Sequence, residues 1–252
     1  MGNDTSLHEL LRDHTSDAIR ARLSSRQAPS YIGDAVLGAM DGTVTTFAAI
    51  AGATGAGLAG SIGIALGLAN VCADGFSMAV GNYQRAGAER HVLEQTRSDE
   101  EQHVRRHPEG EREEIRQIFA AKGFTGDSLE TIVDVLTADA ERWVDTMLTE
   151  EHGLRLVPQS PLQVALVTFG AFALAGLVPI LPLAFFLSQS LESAFPYSAL
   201  ATAVTFFAIG YAKARMVARP PWRAGAASVL LGVVAAGLAY LAGTLVGLLG
   251  AG

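Results

Sequence analysis

Five long apolar runs constrain this chain more than any other feature. They extend from about Tyr31 to Gly57, Leu58 to Tyr83, Leu162 to Ser190, Ala194 to Tyr211 and Ala224 to Leu249, each near or above the roughly 20 residues that a bilayer-spanning helix needs. In hydrocarbon no water is present to bond backbone N–H and C=O groups, so runs of this kind are satisfied as helices. The expectation is an all-α, polytopic membrane protein with five transmembrane helices. Between the second and third runs the composition inverts, with 17 acidic and 9 basic residues from Glu89 to Arg155. That stretch is too polar for the bilayer and forms a soluble insert. The second membrane helix should run on through Glu89 and Glu94 toward Arg106, until His107-Pro108-Glu109-Gly110 breaks it. Three short helices follow: Glu111 to Lys122 ending at Gly123, one capped by Asp127 or Ser128, and one around Asp139 to His152 stopped by Gly153. The chain thus divides into an N-terminal arm (1–30), helices one and two (31–88), the acidic domain (89–157) and helices three to five (158–252).

Charge placement gives the orientation. Lys and Arg fall in the arm (Arg12, Arg20, Arg22, Arg26), between Arg85 and Arg155, and between Lys213 and Arg223, while the tips near Gly57 and Glu192 have none. The positive-inside rule then puts the N-terminus, the insert and the loop between helices four and five in the cytoplasm. The polar arm lacks the apolar core of a cleavable signal, so helix one itself acts as the membrane signal, and a cell inner membrane is the expected location. The formal net charge of −7 excludes the basic surface that nucleic-acid binding wants. Cys72 is the only cysteine, so neither an intrachain disulfide nor a thiolate cluster is available.

Two aspartates interrupt the apolar blocks. Asp41-Gly42 lies in the first run with Thr45 one turn on, and Asp74-Gly75 lies in the second with Met78 one turn on. A carboxylate at bilayer depth costs roughly 2.5 to 3.5 kcal/mol on insertion scales, so such residues usually mark ion or proton pathways. Carboxylate, hydroxyl and thioether together suit a divalent transition ion. Small residues such as Gly52, Gly55, Gly63, Gly67 and Gly75, with Asn70, Ser77 and Asn82, also suit close helix packing and interhelical hydrogen bonds. Met78 taken alone reads as gap-filling core. In helix three, Pro179 and Pro182 should kink or widen the helix, whether to line a cavity or to serve packing.

In the insert, Glu100 and His103 are three apart, Glu111 and Glu114 are three apart, and Met147 and Glu151 are four apart, so each pair shares a helical face. A Glu-x-x-His pair facing a Glu-x-x-Glu pair is one way that helical bundles build metal sites. Solvated charge on a polar helix explains the same spacings. His91, His107 and His152 read as surface histidines.

The motifs Asp41-Gly42-x-x-Thr45-Thr46-Phe47-Ala48 and Asp74-Gly75-x-Ser77-Met78, then Gly81-x-Tyr83, an acidic insert, a proline-rich third span and Lys213-Ala214-Arg215, resemble the vacuolar iron transporter family. The resemblance implies a homodimer of five-helix subunits that moves Fe2+, often Mn2+ and related ions such as Zn2+, Co2+ or Ni2+, out of the cytoplasm in exchange for protons. It implies no prosthetic group, and makes the insert a metal-binding domain feeding the pore. Asp41 and Met78 then correspond to pathway ligands, with Thr45, Asp74 and Asn70 beside them. Glu100, Glu111, Glu114, Met147 and Glu151 correspond to metal ligands in the insert, with Glu150 adjoining. Three positions depart from the pattern: Asn70 stands where some members carry a pathway Glu, His103 replaces a Glu in the insert, and Asn82 replaces Glu in a Gly-Glu-Tyr element. Asp74, one turn from Asn70, is positioned to replace the proton carrier lost there. Two other functions compete with a proton-coupled exporter. A membrane-anchored metal buffer or sensor would have no use for buried Asp41 and Asp74, and an oxidase would want a second Glu-x-x-His, which the chain lacks.

Overall fold

The computed structural model describes residues 11–24, 29–185, 191–216 and 220–250. Expectations that fall on His8, Arg26, Arg219 and residues 186–190 of the third run lie outside the described residues. Residues 1–30 form one unit and 31–252 another. The first contains α1 (Ser16–Ser24), whose N-terminus is met by Thr15, the Oγ1 accepting from the Ala18 amide at 3.4 Å.

The second unit begins with α2 (Ile32–Gly55) and α3 (Gly60–Arg106). Three short helices follow: α4 (Pro108–Ala121), α5 (Gly126–Thr137) and α6 (Ala140–Glu150). The chain returns through α7 (Pro161–Leu177) and α8 (Ile180–Phe185), and closes with α9 (Leu191–Met216) and α10 (Pro221–Gly250). Among the described residues every regular element is helical.

Four of these helices, α2, α3, α9 and α10, are long and apolar enough to cross a membrane, and α7 is a shorter apolar helix. The third apolar run is thus broken rather than merely kinked. Leu177 ends α7, Val178 and Pro179 form the break, and α8 restarts at Ile180. Proline lacks an N–H and crowds the preceding turn, so the ladder fails here. The Pro179 carbonyl freed by the break accepts a 2.6 Å bond from Ser198 Oγ of α9, the kind of internal repair a membrane interior demands.

Helix α2 is the hub of the membrane half. On one side a methyl group at Gly42 would sit 2.3 Å from the Phe172 carbonyl oxygen of α7, and one at Gly38 would sit 2.4 Å from that of Thr168. On the other side, one at Gly55 would sit 2.2 Å from the Tyr240 carbonyl oxygen of α10. Backbone-to-backbone approach of this closeness requires glycine, and it supplies the dispersion contacts that replace a hydrophobic driving force in lipid. Away from the hub, Leu230, Leu231, Val233, Val234, Leu238, Leu241, Leu245 and Val246 of α10 are exposed. So large an apolar surface is a liability in water and an ordinary lipid face in a bilayer.

The 47 residues of α3 make a rod of about 70 Å at 1.5 Å per residue, more than twice the hydrocarbon thickness. Its distal half is laced by Arg85–Glu89 at 2.8 Å and Arg90–Glu94 at 2.7 Å, which support an exposed helix. It ends at Arg106, as the His107-Pro108 break requires. Helix α4 starts at Pro108 rather than Glu111, because proline at the first position forgoes only an amide that has no helical partner anyway. Helix α5 is preceded by Thr125, not capped by Asp127 or Ser128; the Ser128 hydroxyl donates back to the Thr125 carbonyl at 2.7 Å. Asp139 caps α6, accepting from the Arg142 amide at 2.8 Å. Gly123 and Gly153 carry positive φ of 97° and 65° at the two helix ends expected to stop there.

Trp143 and Met147 of α6 pack with Ile115, Leu129 and Val133, while Val144 and Leu148 pack on Leu93 of α3. Ion pairs close the rim: Arg116–Glu130 at 2.8 Å, together with Arg112–Asp134 and Arg97–Asp145.

Candidate metal centre and membrane pathway

Both Asp-Gly pairs pack on one residue of α7. Gly42 presses its backbone on that of Phe172, and a methyl group at Gly75 would lie 2.9 Å from the Phe172 ring. With each glycine held against α7, the neighbouring aspartate is turned roughly 100° around its helix, off that contact. Asp41 is half-buried on α2 and Asp74 is exposed on α3, within electrostatic reach of each other. Asn70 ties the two helices together. With its amide oriented to satisfy both ends, Nδ2 donates to Asp74 Oδ2 at 2.6 Å, and Oδ1 accepts from Thr45 Oγ1 at 2.9 Å and Thr46 Oγ1 at 3.1 Å. Thr45 and Met78 are half-buried, each one turn beyond its aspartate. Asn82 donates to Thr168 Oγ1 at 3.0 Å, bonding α3 to α7.

A further acid in this half was not singled out from sequence. Asp34, in the first turn of α2, is 7% exposed. Its Oδ1 accepts from Arg85 at 3.0 Å and its Oδ2 from Gln159 at 2.9 Å. This ties α2, α3 and the strand of chain returning from the insert into one polar joint. An acid in the first turn of an apolar helix, with an arginine where the next run turns polar, was the available signal.

In the insert, Glu100 of α3 and Glu111 of α4 are 4% and 6% exposed, a burial that carboxylates tolerate only when compensated. His103 Nδ1 lies 3.7 Å from Glu100 Oε1 and 3.5 Å from Glu111 Oε1, so these three form a grouping able to hold an ion. The second oxygens, Glu100 Oε2 and Glu111 Oε2, are buried without a hydrogen-bond partner. Burial, followed by the nearby charges of Glu114 and Glu100, pushes the Glu111 carboxyl up to about 7. Glu151 is also raised, first by burial. A bound cation would reverse both effects, because it rewards the charged form that burial penalises.

His152 is exposed, as expected of a surface histidine, but it is not detached. Its Nε2 lies 3.1 Å from Glu100 Oε1 and 3.5 Å from Glu151 Oε2, completing a second grouping around Glu100. Gly153, with its positive φ of 65°, follows immediately. His91 and His107 are exposed. Glu114 is exposed, yet its charge reaches both Glu111 and Glu151. Met147 is fully buried among Ile115, Leu129, Val133 and Trp143. Glu150 is paired with Lys122 and belongs to neither grouping.

An all-helical bundle with a large exposed apolar surface, carboxylates in its long apolar helices and a metal-competent cluster fits a multi-pass membrane protein, and the family it matches is one of transporters, not enzymes. Residues 32–244 match the VIT family, and the chain belongs to that family. It is 31% identical over 245 residues to a vacuolar iron transporter of Toxoplasma gondii, covering 94% of this chain and 79% of that one. It is 29% identical to vacuolar iron transporter 1 of Arabidopsis thaliana, covering 84% and 85%. It is 30% identical to vacuolar iron transporter 1 of Oryza sativa subsp. japonica, covering 82% of each.

Proposed function

We propose that this protein exports Fe2+, Mn2+ or both from the cytoplasm in exchange for protons, with the insert capturing the ion. The observation that carries the reading is the reach of α3. One unbroken helix bears Asn70, Asp74 and Met78 in its membrane half and Glu100 and His103 in the insert. Asp74 and Glu100 stand about 39 Å apart along that rod at 1.5 Å per residue. Capture and passage are therefore built on one rigid element. Asp41, Thr45, Asp74, Met78 and Asn70 line the pathway in this reading, and Glu100, His103, Glu111 and Glu151 hold the ion outside it, with Glu114 adding negative charge. Asp74, held by Asn70, is the proton carrier.

The exposure of Asp74 supports a homodimer. A single copy would leave that carboxylate facing lipid at a cost of roughly 2.5 to 3.5 kcal/mol, and a second copy across this face gives the pathway its other wall. The N-terminus, the insert and the α9–α10 connection lie on the cytoplasmic side. The relatives are named for vacuoles; the location expected here is an inner membrane, with the insert on its cytoplasmic side. The test is flux in proteoliposomes, with Fe2+ or Mn2+ on the insert side and a pH dye within. Metal entry with opposed proton movement is expected. Tight binding without flux of either ion would instead mean a membrane-anchored buffer.

A further inference from the structure

We infer that His152 is a direct metal ligand of the insert, and that the capture site is consequently a mixed carboxylate–imidazole centre that favours Fe2+, Co2+ and Zn2+ over Mn2+. The inference rests on the capture role proposed above and specifies its selectivity.

The spacing carries it. Ligand atoms held at roughly 2.0–2.2 Å by one ion stand about 2.8–3.6 Å from each other, octahedral edges at the short end and tetrahedral ones at the long end. His152 Nε2 lies 3.1 Å from Glu100 Oε1 and 3.5 Å from Glu151 Oε2, within that range on both edges. Across Glu100, His103 Nδ1 stands 3.7 Å from the same Oε1. Glu100 is thus approached at Oε1 by two imidazoles in two groupings, one from its own helix and one from the turn just after α6. Its other oxygen is buried with no partner, which a hydrogen-bonded surface pair would not leave in place. Imidazole suits iron, zinc, nickel and copper, whereas sites of carboxylate, carbonyl and water suit manganese and magnesium. The nitrogen donor of the Glu100–Glu151–His152 grouping therefore shifts the preference of that grouping toward the borderline ions. The side chain of His152 is a third exposed, so an incoming ion can reach it.

The test uses the full chain in detergent. Pulsed EPR on Mn2+ loaded below one equivalent reads nitrogen coupling from a coordinated imidazole, and titration calorimetry reads Zn2+ and Mn2+ affinity. His103→Ala should retain a nitrogen coupling that vanishes in His103→Ala with His152→Ala. His152→Ala and His152→Gln alone should weaken Zn2+ about tenfold and Mn2+ less than about threefold. Equal losses for both metals with the nitrogen coupling untouched would reduce His152 to a positioning partner of Glu100 and overturn the assignment. Wild-type protein that binds neither metal would overturn the capture role itself, and the ligand assignment with it.

Discussion

The membrane half and the insert both contain carboxylates away from bulk water, but they compensate them differently. In the spans, Asp74 is met by the Asn70 amide and Asp34 by Arg85 and Gln159. In the insert, Glu100 and Glu111 are buried more deeply than Asp74, and each keeps an oxygen without a partner. A hydrogen-bonded acid is stable as it stands, and an ion can pass it without being held. Buried, unsatisfied acids are stabilised by binding a cation, so they retain one. This difference is what the proposed capture site and the proposed conduit would require of the same residue type.

The comparison breaks most sharply at Asp41. Asp41→Asn preserves shape and removes charge, so proteoliposome flux should fall to background while metal binding at the insert is unchanged. Near-normal flux would remove Asp41 from the pathway.

Gly42→Ala should come next. Its methyl group would meet the Phe172 carbonyl oxygen at 2.3 Å, where only backbone movement can make room, whereas Gly75→Ala meets the Phe172 ring at 2.9 Å. Overpacking of this kind costs about 1–3 kcal/mol or more, so thermal unfolding in detergent should show Gly42→Ala well below Gly75→Ala. Equal midpoints would mean that α2 and α7 are not locked there.

In the insert, Glu111→Ala with Glu114→Ala should weaken Mn2+ binding about tenfold or more, slowing flux at low metal without abolishing it at high metal. Equal affinities would make these glutamates a solvated face. The pH dependence follows from Glu111, whose carboxyl is raised to about 7. An ion must displace that proton, so calorimetric affinity should fall as pH drops from 7 to 5.5, by about tenfold per unit for one proton. For the metal-free fold the sign is opposite. The contribution of protonated Glu111 is fully present below about 4.5, the ordinary glutamate range, and is lost as pH rises through 7. Added metal should therefore raise the unfolding temperature more at pH 7.5 than at pH 5. The smallest effect belongs to Glu150→Gln. Glu150 is paired with Lys122 outside both groupings, and affinity should change less than about twofold.

Residues whose role follows from spacing or from neighbours in sequence were readable without coordinates. The apolar runs, the continuation of α3 to Arg106, the Gly123 and Gly153 stops and the Glu100–His103 pair are of this kind, because helical periodicity and proline or glycine chemistry act over a few residues. Resemblance to a family added the correspondence of Asp41 and Met78 to pathway ligands, which remains a proposal. Contacts between distant parts of the chain were not readable. His152 looked like a surface histidine because nothing local says that the end of α6 returns to Glu100, 52 residues earlier. Glu150 and Glu151 are adjacent residues of the same type, yet one faces Lys122 and the other His152, a division made by the direction in which α6 meets its neighbours. The sequence by itself determined a helical membrane protein with acids in its spans and an acidic insert, because hydrophobicity and charge act residue by residue. Only the tertiary structure decided which acids are satisfied and which stand open to a cation, because burial and hydrogen-bond partners are properties of packed helices and not of any one of them.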